Sequence, residues 1–152
     1  MSNTMITDLD QVHRMIPQKP PMAMIDSILY VSEQKAITAL SVHPENIFCT
    51  DGYLQAPGIA ENIAQTAAAQ AGFLAKRREE APPVGFIGAI KNLEIIQLPK
   101  VGEQLKTEII IEHQIMNFTL IKGLVKVGDQ LIAQGYMKIF IADQEPKEHE
   151  NH

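Results

Sequence analysis

The chain has 152 residues, 45% of them apolar, and a net charge of −5. That is the length of one domain with a real core, and the acidic balance excludes the clustered Lys and Arg on which nucleic-acid binding leans. No run approaches the ~20 apolar residues of a membrane span, the start MSNTMITDLD lacks a basic-then-apolar leader, and Cys49 stands alone with no partner for an internal disulfide; together these point to the cytoplasm.

In chain order, Thr7 is placed to cap a short helix, with Asp8 and Asp10 suiting its positive end. Pro17 ends that helix at Ile16, and Pro20 and Pro21 keep the next residues extended. The apolar alternation predicts a strand from Met22 to Val31, a polar turn at Ser32 to Lys35, and a second strand from Ala36 to Val42, paired as a hairpin. ENIFCTDGYLQAPG, Glu45 to Gly58, reads as a loop broken by Gly52 and Pro57. Cys49 within it reads as inert and half-buried, since no general base is near it in sequence. IAENIAQTAAAQAGFLAKRREE, Ile59 to Glu80, is a long helix: it has good helix formers, no internal proline, and Lys76, Arg77 and Arg78 where the dipole favours cations. Its alanines, 60, 64, 67, 68 and 71, leave it thin enough to lie close against other backbone.

EAPPVG closes the helix, and strands fill the rest: Val84 to Leu98, Gln104 to Met116, Phe118 to Val127 and Leu131 to Ala142. PKVGE, Asn117 and VGDQ are the turns between them. Residues 1–142 form one domain, and DQEPKEHENH, 143–152, is a polar tail with the composition of disorder. The class is α+β, one antiparallel sheet with one long helix. Such a sheet leaves one side partly bare, so a homodimer is the expected state.

Three stretches resemble the 3-hydroxyacyl-acyl-carrier-protein dehydratases of fatty acid synthesis, and the element order resembles their hotdog fold, a sheet wrapped around a long central helix. IPQKPPMAMID, Ile16 to Asp26, is similar to the family's Leu-Pro-His-Arg-x-Pro-Phe-Leu-Leu-Val-Asp, with Pro17, Pro21 and Asp26 in place. PGIAENIAQTAAA matches the start of its central helix, with Glu61, Ala64 and Gln65 on the Glu-x-x-Ala-Gln core. FIGAIKNLEIIQLPKVGEQL resembles its strand from Phe-x-Gly through Pro-x-x-x-Gly-Asp-x-Leu.

Two departures stand out. Gln18 occupies the place of the catalytic histidine. Gly58 stands three residues ahead of Glu61, where the family's gap is longer, and the Gly-His-Phe-Pro stretch is absent. The chain looks closer to a divergent branch, which includes the dehydratase-like partners of aryl polyene pathways.

Dehydrating a 3-hydroxyacyl thioester needs a base for the C2 proton and an acid for the leaving oxygen. The resemblance implies that Glu61 is the acid and that Gln18 stands where the base would be. It also implies that Pro17, Gly58, Gln65, Phe86 and Gly88 line the thioester site, and that no cofactor or metal is needed. A glutamine amide donates and accepts hydrogen bonds but does not titrate in this range. His13, His43 and His113 read as surface histidines, and His149 and His152 fall in the tail, so none replaces the base by sequence alone. Taken alone, Glu61 also suits a dipole-compensating acid in a first helical turn.

Three functions stay open. In the first, the chain is half of a mixed dehydratase site, with Glu61 completed by a histidine from a second hotdog chain. In the second, it is a thioesterase using Glu61 as base or nucleophile. In the third, it is a scaffold with no chemistry. The implied partners are an acyl carrier protein or coenzyme A thioester, in a homodimer or higher even oligomer or a heteromer with another hotdog protein. Lys76, Arg77 and Arg78 are either an acidic carrier's contact or a solvated helix end.

Overall fold

The computed structural model describes residues 5–81 and 85–141. The first helix, α1, runs Leu9–Met15 with Ile16 as its C-cap, so Pro17 stops it as expected. Its N-cap is Asp8, not Thr7: the Asp8 carboxylate accepts the Asp10 N–H at 3.4 Å. A carboxylate satisfies an orphan amide and also suits the helix dipole, which a hydroxyl does not. At the other end Lys19 Nζ donates to the carbonyls of His13 (2.6 Å) and Ile16 (3.0 Å), closing the helix with a cation.

The strand predicted from Met22 begins only at β1, Ser27–Val31. It pairs with β2, Lys35–Ser41. Asp26 sits at the entry to this hairpin: its N–H reaches Ala39 O at 2.7 Å and its carboxylate accepts the Ser41 N–H at 2.7 Å. The expected loop holds a small hairpin, β3 (Cys49–Thr50) and β4 (Tyr53–Leu54), too short to leave a periodic signal.

The long helix α2 spans Ala56–Arg77, three residues earlier at each end than the sequence reading. Pro57 is expected to break the loop, yet it lies inside the helix's first turn, where proline loses no hydrogen bond. Four long strands complete the fold: β5 (Gly85–Ile95), β6 (Gln104–Ile115), β7 (Phe118–Val127) and β8 (Gln130–Ile141). The expected Val84, Ala142 and tail residues 143–152 lie outside the described residues.

The six long strands form one antiparallel sheet in the order β1-β2-β6-β7-β8-β5. Alternation along β7 buries Ile121 and Val125 against the inner face, where α2 lies with Ile59, Ile63 and Ala69 buried. Helix α1 packs on α2 from the same side. At Gly72 the approach is so close that a Cβ would sit 2.2 Å from Met15 O, so only glycine fits.

The two edges of the sheet differ. Ile6 seals β1 by exchanging backbone hydrogen bonds with Ile28 at 2.7 and 2.8 Å. The far edge strand, β5, pairs with β8 alone among the described residues, and Ile87 and Ile90 stay 42% and 44% exposed. Among the described residues no helix is long and apolar enough to cross a membrane.

Candidate active site

The site grows out of a polar stripe in an otherwise alanine-rich helix. Asn62, Gln65, Thr66 and Gln70 recur at helical spacing on the buried side of α2. A buried polar group must find partners, and these find the backbone that was predicted as strand. Gln65 Oε1 accepts the Met24 N–H at 2.5 Å, and Gln65 Nε2 donates to Met22 O at 2.9 Å. Asn62 Nδ2 donates to Met24 O at 2.8 Å. Met24 therefore has both its backbone groups satisfied by helix side chains, as a neighbouring strand would have satisfied them. That is why residues 22–25 lie against the helix without joining the sheet.

Behind this clamp, Thr107 Oγ1 donates to Asn62 Oδ1 at 2.5 Å and Thr66 Oγ1 donates to Asn62 O at 2.8 Å. The Thr66 proton being committed, the Thr38 hydroxyl is the donor in the 2.7 Å contact between them. Gln70 Nε2 donates to Ser32 O at 2.8 Å and ties the helix to the β1–β2 turn. Sequence reasoning singled out Gln65 but missed Asn62, Thr66, Thr38 and Thr107. The signal for the two helix residues was there: polar side chains three to four apart among alanines.

Glu61 is half-buried at the head of this stripe, and its Oε1 accepts the second Nε2 proton of Gln65 at 2.9 Å. Because α2 starts at Ala56, Glu61 falls in the second turn, and the first turn carries no acid. The helix dipole acts mainly within the first turn, so a dipole-compensating role loses its basis. Gln65 thus joins the carboxylate to the loop of residues 22–24 by a single amide whose three donor and acceptor contacts fix its orientation.

Gln18 sits on that loop's upstream arm, between exposed Pro17 and Lys19. Its Oε1 is buried and has no hydrogen-bond partner. No hydrogen bond joins Gln18 to Glu61 within the chain. Gly58 packs inward: a Cβ there would lie 2.7 Å from both Leu54 Cδ1 and Phe48 Cβ, so its smallness lets the β3–β4 hairpin rest on the helix. Phe86 and Gly88 are on the open-edge strand, Phe86 opposite Phe140 in register. Gly88 sits at a bulge, where a Cβ would meet the Phe140 ring at 2.2 Å.

The remaining reactive groups stay outside this arrangement. His43 and His113 are exposed and His13 is half-buried, each away from the clamp's hydrogen bonds. Burial pushes the Cys49 thiol up from its ordinary value, away from the thiolate a nucleophile needs. Two of the three helix-end cations are engaged: Arg78 pairs with Glu33 at 2.5 Å and the Arg77 guanidinium lies 5.7 Å from the centre of the Phe73 ring. Among the described residues no group of three or more His, Cys, Asp or Glu could hold a metal ion.

Comparison with known proteins agrees with this layout. The chain is similar to the 3-hydroxyacyl-acyl-carrier-protein dehydratase FabZ of Geobacillus sp. (strain WCH70), at 25% identity over 140 residues covering 90% of this chain and 97% of the relative. It is similar to the FabZ of Pseudothermotoga lettingae at 26% over 144 residues, covering 91% and 99%. Its fold matches the dehydratase heterocomplex ApeI:P from Xenorhabdus doucetiae, with a TM-score of 0.81 at 19% identity over 88% of this chain and 91% of that one. It also matches a hypothetical thioesterase with coenzyme A from Streptococcus pneumoniae TIGR4, with a TM-score of 0.63 at 10% identity over 78% and 87%. These likenesses make the fold a hotdog. Residues 10–150 match the model of the ApeP-like family, described as ApeP dehydratase, and the chain belongs to that family.

Proposed function

We propose that this chain is one half of a two-subunit dehydratase acting on 3-hydroxyacyl thioesters, in which Glu61 supplies the acid and a histidine from a second hotdog chain supplies the base. One observation carries the reading. Glu61 is held by Gln65, itself bonded to Met24, while Gln18, at the place of the family's histidine, has a buried oxygen with no hydrogen-bond partner. A glutamine does not take up a proton in the working range, and lacking a general base costs about 10²–10⁴-fold.

The open β5 edge supports pairing with a second hotdog chain, as does the likeness to a dehydratase heterocomplex. The substrate class follows from the FabZ relatives, whose name specifies an acyl group carried by a carrier protein. A hydrolytic alternative has its own footing: only Oε1 of Glu61 takes a hydrogen bond among the described residues, leaving Oε2 to accept a proton from water.

The test is to assay the purified chain, alone and mixed with a histidine-bearing hotdog protein from the same source, on 3-hydroxyacyl and saturated acyl thioesters. The expected result is dehydration only by the mixture, lost when Glu61→Gln is introduced in this chain. Dehydration at ordinary enzymatic rates by this chain alone sinks the proposal. Hydrolysis of saturated thioesters by the lone chain, abolished by Glu61→Gln, favours the thioesterase instead. A mixture whose activity survives both Glu61→Gln and Glu61→Ala leaves this chain a scaffold.

A further inference from the structure

The outer face of the sheet, away from α2, carries a feature that the proposed chemistry does not use. Residues directly opposed in an antiparallel ladder share a face. Lys91 and Lys122 both oppose Tyr136, and Ala89 and Leu120 both oppose Lys138, which in turn brings in His113 opposite Leu120. Ile121 and Met137 between them are buried inward, so these side chains point out. They surround an open basin of about 460 Å³, lined by Lys91, His113, Phe118, Leu120, Tyr136 and Lys138 among others.

The basin brings aromatic rings and lysines together. Lys138 Nζ lies 5.0 Å from the centre of the Phe118 ring, Lys122 Nζ 5.9 Å from that of Tyr136, and the Phe118 and Phe140 rings pack 5.8 Å apart. The ion pairs of the described residues are Lys35–Glu108 and Arg78–Glu33, so Lys91, Lys122 and Lys138 form no ion pair there. Ile115 and Phe140 on the rim are 51% and 37% exposed. A small molecule seeks burial of about 70–90% of its surface, which a shallow basin on a sheet does not provide. A protein surface with an acidic, apolar knob fits it.

This chain carries such a knob. At the tip of α1, Met5 and Leu9 are 70% and 50% exposed, and Asp8 and Asp10 flank Leu9 and form no ion pair among the described residues. The Ile6–Ile28 backbone bonds hold this tip against β1, so it is preorganised for docking. It lies at the opposite edge of the sheet from β5 and on the opposite face from the basin.

We propose that the acidic tip of α1 in one copy docks into the basic, aromatic basin of another. Because knob and basin are different surfaces on opposite sides, the contact is head-to-tail and propagates into a ring or a filament. It involves neither Glu61 nor Gln18 and stands apart from the catalytic reading.

Sedimentation velocity of the purified chain tests it, using wild type, a basin variant (Lys91→Glu with Lys138→Glu) and a tip variant (Asp8→Lys with Asp10→Lys). Wild type is expected to assemble beyond its smallest species at about 50 mM salt and to come apart at about 500 mM, where exposed charges are screened. Each variant alone loses that further assembly, through like-charge repulsion in every contact. An equal mixture of the two restores it, because each tip then meets a basin of opposite charge, and the restoration shows that both variants are folded. A wild-type assembly indifferent to salt and to both variants, a wild type with no further assembly, or a mixture that fails to reassemble overturns the proposal.

Discussion

Glu61 and Gln18 make opposite cases within one candidate site. The carboxylate rests on a network that runs through Gln65 and Asn62 into the buried threonines 66, 38 and 107, so its position follows from the core itself. The glutamine rests on a frame that holds the backbone around it, through Lys19 on one side and Met24 on the other, but holds nothing of its side-chain oxygen. A fold maintains what its own core needs. The Glu61 carboxylate is tied to the core by a hydrogen bond and the Gln18 oxygen is not.

Four changes break or sharpen that contrast, in descending order of effect. Gln18→His places a titrating group on a frame already built, and the lone chain should then dehydrate 3-hydroxyacyl thioesters about 10²–10⁴-fold faster than wild type. No gain in that assay indicates that the carboxylate half is not in working geometry.

Asn62→Ala strips partners from Met24 O and Thr107 Oγ1 in the interior, and chemical denaturation should show a loss of about 2–4 kcal/mol, each orphaned group costing ~1–3 kcal/mol. Gln65→Ala should cost less, about 1–3 kcal/mol, because Met22 is 41% exposed and water reaches its freed carbonyl. Its distinguishing mark is faster amide exchange at Met24 with the β6–β7 amides unchanged. Gln18→Leu removes an oxygen that has no donor, so the midpoint of urea unfolding should hold or rise, by up to ~1 kcal/mol in stability. A clear fall reveals a partner for that oxygen.

The broad layout was legible because its signals are local. The 3.6-residue run of α2 and the turns around Asn117 and VGDQ place the long helix and the last three strands within a few residues. What misled was apolar alternation in Met22–Asp26: it reports an extended backbone, but it cannot report whether the hydrogen bonds go to a strand or to Gln65 and Asn62. Pro57 reads as a loop breaker when it belongs to the start of the helix, since proline is tolerated in a first helical turn, and the glycine beside it is packed against Phe48 and Leu54. Glu61 was nameable only through resemblance, for one carboxylate on a helix has no chemical signature of its own. The stripe supporting it was written in the sequence as polar residues at helical spacing.

The bare β5 strand bears on how such a chain survives in quantity. A long edge of unpaired backbone flanked by exposed Ile87 and Ile90 is a template for indiscriminate strand addition. Whatever covers that edge removes the hazard and, by binding only the folded form, raises its stability through mass action. Soluble yield then becomes a titration against the covering chain. Expressed in excess, this chain is expected to aggregate or be degraded; expressed in step with a partner, it persists, so the edge couples the dosage of two polypeptides without any regulator.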